Sequence, residues 1–297
     1  MTEQADSDAR TRPAALSSNG VPIPFDDELW APMRDSTDAL DDPAELRRRF
    51  ADEGYVLLRG VLDRRKILDL RRDYFARFDP SMFRPGTTPE DGVFSGTQPA
   101  DLPEYGTQGH PAYEFVRSER FDAFTHEAPL RRVAEALLDS PVELVPRRIL
   151  RHFDRQSGKA SRAHIDYDYM DRGSDQLVTS WIPLGDCPIE CGGLVYLERS
   201  HRTGRGDLDG LRSFTDRPND HRPVSNDLGR TARTLGGRWR WTDYRAGDVV
   251  LHSPHTVHAS LDVQGDVMRL SADLRFRRTD AKLDERWTGA WSADDGF

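Results

Sequence analysis

The chain has 297 residues, 36% of them hydrophobic and 31% charged, with a formal net charge of −9. That composition belongs to a globular protein with a sizeable buried core, and no apolar run approaches the roughly 18 residues of a membrane span. The 42 Lys and Arg residues are scattered among 51 Asp and Glu, which argues against a nucleic-acid tracking surface and leaves a small molecule as the expected partner. Met1 to Gly20 is polar and lacks the apolar stretch of a signal peptide, so the expected location is cytoplasmic. Cys187 and Cys191, the only cysteines, are too few for a disulfide framework and read as packing or loop thiols.

Residues 1–25 are rich in Ser, Ala, Asp and Pro without periodicity and read as a disordered leader, with residues 26–297 forming a single domain. Asp42-Pro43-Ala44-Glu45 is a helix start, with Asp42 as cap, Pro43 at the first position and Gly54 as the stop. Tyr55 to Leu58 reads as a strand, and Asp63 to Phe78 as a second helix with Ile67, Leu70 and Tyr74 on its inner stripe. The stretch 79–111 is Pro- and Gly-rich, and a long irregular segment of that kind suits a lid. Helical periodicity returns over Tyr113 to Thr125 and Pro129 to Leu138. Short strand candidates then follow at Val142 to Phe153, Gln176 to Leu184, Gly193 to Leu197, Asp248 to His252 and Met268 to Phe276, with a polar insertion over 202–238. Helices first and strands after predict a mainly β fold: a double-stranded β-helix, the jelly roll of cupins, buttressed by N-terminal and inserted α-helices.

His164-Ile165-Asp166 lies in a segment of alternating character, so in an extended chain its imidazole and carboxylate share one face, roughly 6.6 Å apart. One further histidine completes a 2-His-1-carboxylate facial triad, the donor set of non-haem Fe(II) with three positions left open. Two of these suit a keto-acid and the third O2. The segment 247–260 offers His252, His255 and His258. Arg269 comes eleven residues after His258, in the strand Met268 to Asp273, and that spacing favours His258 as the ligand and Arg269 as the clamp for the distal carboxylate of 2-oxoglutarate. Ser260 shares the face of His258 and Ser271 that of Arg269, so both hydroxyls are candidate donors to the keto-acid.

Other residues invite attention. Asp168 and Asp171 read as solvated or substrate-facing, since on a continuing strand Asp168 lies too far along to share the ion. By the same alternation Tyr167 and Tyr169 point away from the metal. His152 reads as a packing or substrate-side residue, His201 and His221 as exposed, and Trp287 with Trp291 as an anchor for the C-terminal tail. Arg147, Arg148, Arg151, Arg155 and Arg162 suit either an anionic substrate or an exposed strand face paired with acids.

At these residues the sequence resembles the phytanoyl-CoA dioxygenase family of Fe(II)/2-oxoglutarate-dependent oxygenases, from about Leu46 to Arg277. Phe50 to Gly60 is similar to the family's opening helix and strand. Thr179 to Leu184, Cys191 to Leu194 and Glu198-Arg199-Ser200-His201 are similar to its central strand pair, the last replacing the more usual Pro-Gly-Ser-His. The resemblance implies iron at His164, Asp166 and His258, and 2-oxoglutarate contacts at Arg269, Ser260 and Trp181. Halogenating relatives carry Gly or Ala at the position of Asp166, so this carboxylate implies oxygenation; the longer signature of ectoine hydroxylases around His-x-Asp has no match. The expected activity is hydroxylation of an unactivated C–H bond in a small molecule of specialised metabolism. The alternatives are the same chemistry on a nucleotide or other phosphorylated substrate, and a cupin-like protein that binds metal without turnover.

Overall fold

The computed structural model describes residues 15–158, 160–212 and 219–293. Its strands are β1 (Ala15–Ser18), β2 (Val21–Pro24), β3 (Trp30–Pro32), β4 (Tyr55–Leu58), β5 (Val142–Leu144), β6 (Ile149–Phe153), β7 (Ala163–His164), β8 (Leu177–Pro183), β9 (Leu194–Leu197), β10 (Pro223–Ser225), β11 (Trp239–Trp241), β12 (Val249–His252), β13 (His258–Ser260) and β14 (Arg269–Arg278). Its helices are α1 (Pro43–Glu53), α2 (Arg64–Phe75), α3 (Pro111–Phe115), α4 (Glu119–Thr125), α5 (Ala128–Leu138), α6 (Arg205–Asp209) and α7 (Leu228–Leu235).

Two sheets face each other as a jelly roll. The major sheet runs β4-β12-β8-β14-β5, with β6 also paired to β14, and the minor sheet runs β10-β7-β13-β9-β11-β3. Strand β14 shows why the layers form: Leu270, Ala272, Leu274 and Phe276 point outward into the core beneath the helices, while Arg269, Ser271, Asp273 and Arg275 take the alternate face. Helices α1, α2 and α5 cover that outer apolar face with Leu46, Ile67, Leu70, Val133 and Leu137. A second core lies behind the minor sheet around Val195, Leu197, Val257 and Trp239. One end of the space between the sheets is plugged by Tyr55, Trp181, Tyr196 and Tyr244.

Helix α1 begins as its sequence directs, with the Asp42 carboxylate accepting from the amides of Ala44 and Glu45, both at 3.1 Å. It ends at Gly54, whose φ of 80° suits glycine, and a Cβ there would lie 2.4 Å from His201 Nδ1. The Gly54 carbonyl in turn accepts from Thr256 Oγ1 at 2.8 Å, which anchors the loop that leads into His258.

Several expectations are corrected. The leader does not extend to residue 25: β1 and β2 form a hairpin through a turn at Asn19-Gly20, and its Leu16 and Ile23 are buried in the second core. Residues 1–14 lie outside the described residues. The helical stretch from Tyr113 to Thr125 is two short helices, α3 and α4, and the strand over Val142 to Phe153 is two, β5 and β6. The insertion 202–238 holds α6, β10 and α7, and β10 pairs with β7 beside His164. Segment 79–111 is pinned to the sheet: Phe94 N donates to Asp266 O at 2.7 Å and Met268 N to Gly92 O at 2.8 Å, next to Arg269.

Candidate metal centre

His164 and His258 reach the same place because β7 and β13 are paired with the two histidines in register, and Asp166 follows one extended residue later. Ligand atoms of His164, Asp166 and His258 all lie within 4.8 Å of one another, the one such metal-capable group among the described residues. His164 Nε2 is 3.6 Å and His258 Nε2 3.7 Å from Asp166 Oδ1.

The outer contacts aim these donors. His164 Nδ1 lies 2.7 Å from the Arg162 carbonyl and His258 Nδ1 lies 2.9 Å from the Thr256 carbonyl. A carbonyl only accepts, so each Nδ1 carries a proton, which leaves each Nε2 as the nitrogen turned toward the metal position. Asp166 Oδ2 accepts from Thr179 Oγ1 at 2.5 Å and from Arg275 Nη2 at 3.2 Å, which leaves Oδ1 toward the imidazoles. Burial pushes the Asp166 carboxyl up, but the Arg275 guanidinium beside it holds it well below the usual carboxylate range. Burial, with His164 and His252 nearby, keeps His258 neutral far into acid. Two imidazole nitrogens and one ionised carboxylate, converging and fixed from behind, fit a divalent cation.

The structure separates the three candidate histidines of the 247–260 segment. His252 is buried behind Asp166, 3.5 Å from Oδ2, and His255 is on the surface with Nε2 3.2 Å from Asp175. Only His258 joins the converging group.

A narrow cleft beneath the triad is lined by Trp181, Leu194, Arg269, Asp273 and Arg275, among others. Arg269 is 2% exposed, its Nη1 donates to the Gly192 carbonyl, and its Nε has no protein partner. Burial lowers Arg269 to about 10, so the guanidinium stays charged at neutral pH. Ser271 Oγ, on the same face, is also buried without a partner. Buried donors left unmet at the foot of a cleft fit the carboxylate end of a keto-acid. Ser260 Oγ accepts from the Ser161 amide at 2.6 Å, which leaves its own O–H to donate, and Ser161 lines the cleft beside it.

Above the triad a cavity of about 470 Å³ opens, walled by Phe78, Leu102, Tyr105, Ile149, Trp287 and Trp291 on its apolar side. Its polar wall carries Arg151, Asp154, Arg162 and Arg275. The arginine cluster is thus divided. Arg151 and Arg162 face the cavity, whereas Arg148 pairs with Asp122, Arg155 with Asp266, and Arg147 donates to Ser292 O at 3.2 Å. His152 also lines the cavity, with Nδ1 3.1 Å from Tyr74 Oη.

Strand alternation fails just past the motif. Asp166–Tyr169 is a 3-10 helical turn, so Tyr169 swings to within 5.4 Å of the His164 ring and lines the cavity instead of pointing away. Asp168 is buried, not solvated, and accepts from Arg205 at 2.9 Å and Arg212 at 2.6 Å, which ties the 202–238 insertion to the site. Trp287 and Trp291 anchor the tail as expected and also wall the cavity. Thr179 and Arg275 are the contributors that sequence reading missed. Thr179 lay in a strand read for its pattern and its family likeness but not for its hydroxyl, and Arg275 follows Arg269 on one face at period two.

A jelly roll with two imidazoles and one carboxylate converging between a charged cleft and a wide chamber is the framework of a non-haem iron, 2-oxoglutarate-dependent oxygenase. The family model for phytanoyl-CoA dioxygenase (PhyH) matches residues 50–271, three quarters of the chain. The chain belongs to the phytanoyl-CoA dioxygenase family and is an enzyme of this iron- and 2-oxoglutarate-dependent class. It is 26% identical over 262 residues to a 1-deoxypentalenic acid 11-beta-hydroxylase from Streptomyces arenae, covering 84% of this chain and 86% of that relative. The epimerase SnoN of nogalamycin biosynthesis, solved with Fe3+, alpha ketoglutarate and nogalamycin RO, superposes with a TM-score of 0.56 at 20% identity over 83% of this chain and 86% of that one. EvdO2 from Micromonospora carbonacea var. aurantiaca, complexed with 2-oxoglutarate, gives a TM-score of 0.54 at 21% identity over 81% and 93%.

Among the described residues no helix is long and apolar enough to cross a membrane.

Proposed function

We propose that the enzyme hydroxylates an unactivated C–H bond of a small, largely apolar natural-product intermediate bearing one anionic group. In this reading His164, Asp166 and His258 hold Fe(II), and Arg269 holds the far carboxylate of 2-oxoglutarate, with Trp181, Ser271 and Ser260 around it. Bound iron and 2-oxoglutarate supply O2-dependent oxidation of the C–H bond, with release of succinate and CO2. The protein's part is placement: the two Nδ1 bonds to backbone carbonyls fix the imidazoles, Thr179 and Arg275 fix the carboxylate, and the aromatic wall excludes water from the substrate.

The observation that carries this reading is the convergence of His164 Nε2, His258 Nε2 and Asp166 Oδ1 between the two cavities. The anionic group is supported by charge: among the described residues four arginines, Arg151, Arg162, Arg269 and Arg275, line those cavities with three aspartates, Asp154, Asp166 and Asp273. A divalent iron and a doubly charged 2-oxoglutarate cancel, which leaves one positive charge for the substrate. A single carboxylate balances that better than a phosphate dianion. The relative whose name includes a carboxylic acid supports the same choice. Segments 79–111 and 202–238 supply Met82, Leu102, Tyr105, His110 and Pro223 to the chamber and would set its selectivity.

The test is anaerobic reconstitution with Fe(II) and 2-oxoglutarate, followed by the weak visible charge-transfer band of the chelate. The band is expected in the wild type and lost in Arg269→Ala; no band in fully iron-loaded protein would overturn the assignment of the triad and Arg269 to the co-substrate site.

A further inference from the structure

Arg275 sits where the cleft and the chamber meet, contributing to the walls of both. It is 4% exposed, and its Nη2 donates to Asp166 Oδ2 at 3.2 Å. Its Nε and Nη1 are buried and have no protein partner. The Trp287 ring, itself a wall of the chamber, lies 4.4 Å from the guanidinium carbon and holds the group in place. The other arginines of the site are differently committed: Arg151 is 3.0 Å from Asp273, and Arg269 donates to the Gly192 carbonyl.

A buried guanidinium normally meets every N–H with an acceptor, and two left unmet beside a cavity mark the place of an absent one. The acceptor class follows from the charge. A guanidinium prefers a carboxylate oxygen to a neutral one, and Asp166 compensates it only in part because the same carboxylate faces the metal position with Oδ1.

We infer that Arg275 is a second carboxylate receptor of the site, a positioning residue that receives an incoming carboxylate on its free donors while its Nη2 steadies Asp166. This rests on the function proposed above for the substrate's anionic group, and it assigns that group a residue. The carboxylate has two possible sources, the substrate in the chamber or the metal-proximal end of 2-oxoglutarate, since Arg275 borders both spaces. With its carboxylate on Arg275, a substrate's nearby C–H bonds lie close to the metal position, so the residue selects the carbon attacked as well as the class of molecule.

The experiment is equilibrium binding to the full chain, read by intrinsic tryptophan fluorescence, since Trp287 and Trp291 wall the chamber, and independently by calorimetry, with no turnover involved. The probes are adamantane-1-carboxylate, its uncharged carboxamide, and 2-oxoglutarate, against wild type, Arg275→Gln and Arg275→Lys, with thermal melts confirming that each variant is folded. The wild type is expected to prefer the acid over the carboxamide by at least about 10-fold, with Arg275→Gln reducing that preference to near unity by weakening the acid alone and Arg275→Lys restoring part of it. Weakened 2-oxoglutarate binding with an unchanged acid preference would keep the receptor and identify the co-substrate as its source. Equal loss of acid and carboxamide, or no loss of any probe in Arg275→Gln, would overturn the inference. Because the chelate band tests iron and 2-oxoglutarate separately, failure here is distinguishable from failure of the oxygenase reading.

Discussion

The cleft below Asp166 and the chamber above it share five lining residues, Arg151, Ser161, His164, Asp166 and Arg275, yet are otherwise built from different material. The cleft is walled by side chains of regular strands, Thr179 and Trp181 of β8 with Arg269, Asp273 and Arg275 of β14, each locked by cross-strand pairing. The chamber takes most of its apolar wall from irregular chain: Met82, Leu102 and Tyr105 from segment 79–111, and Trp287 and Trp291 from the tail. A rigid sheet suits a ligand that never changes, and loops suit one that differs between relatives. If the cleft holds the co-substrate and the chamber the substrate, as proposed, the cleft should fail abruptly under mutation and the chamber gradually.

The sharpest break is Asp166→Ala. Losing one of three ligands, and leaving Arg275 buried without its counter-charge, should lower 2-oxoglutarate-dependent succinate formation by about 1000-fold or more, with iron loss measured alongside. Turnover at the wild-type rate would refute the triad. Next is Arg269→Ala, for which the KM for 2-oxoglutarate should rise about 100-fold, as removal of one partner of a buried charge pair costs about 2–5 kcal/mol. A rise confined to the primary substrate's KM would place Arg269 in the wrong half.

Thr179→Val keeps the side-chain shape but removes the hydroxyl that Asp166 Oδ2 accepts, so iron affinity should fall about 10-fold while folding is retained. Titration with Fe(II) under anaerobic conditions reads this directly. In the chamber, Trp291→Phe should shift the preference among substrates several-fold and leave the 2-oxoglutarate dissociation constant in place, the contrast that defines the two halves.

The smallest effect concerns pH. Burial lowers His152 to about 3 and His110 to about 4, so both are neutral in the folded protein at pH values where an unfolded histidine takes up a proton. Their contribution to stability is therefore complete above about pH 6.5 and is lost as pH falls below it. For the buried His152 the slope is up to about 1.4 kcal/mol per pH unit. Urea melts between pH 7 and pH 5, above the range where carboxylates titrate, should show this decline, and His152→Gln should flatten it.

The parts legible in the sequence are those decided by neighbours along the chain. Asp42, Pro43 and Gly54 set the ends of α1 through local backbone bonds, and the alternation of β14 from Arg269 to Phe276 assigns its two faces without reference to any other strand. The choice of His164 and Asp166 followed from donor chemistry at short spacing, and that of Arg269 from its place eleven residues after His258. Short elements without alternation were missed: three-residue β3, β10, β11 and β13 carry too few residues for a period and exist because neighbouring strands of the minor sheet pair with them.

What the tertiary structure alone decided is who meets whom across long separations. Asp166 meets Thr179 and Arg275 because β8 and β14 are adjacent in the major sheet, and His258, not His252, meets His164 because β13 pairs with β7. The chain breaks from strand to 3-10 turn at Asp166, which turns Tyr169 inward and buries Asp168 against Arg205 and Arg212. Local rules extended the strand, and the contacts that ended it come from residues far along the chain. The sequence by itself thus determined the metal chemistry, since that depends on which donors exist; the structure decided how charge is shared around it, since that depends on distances only folding creates.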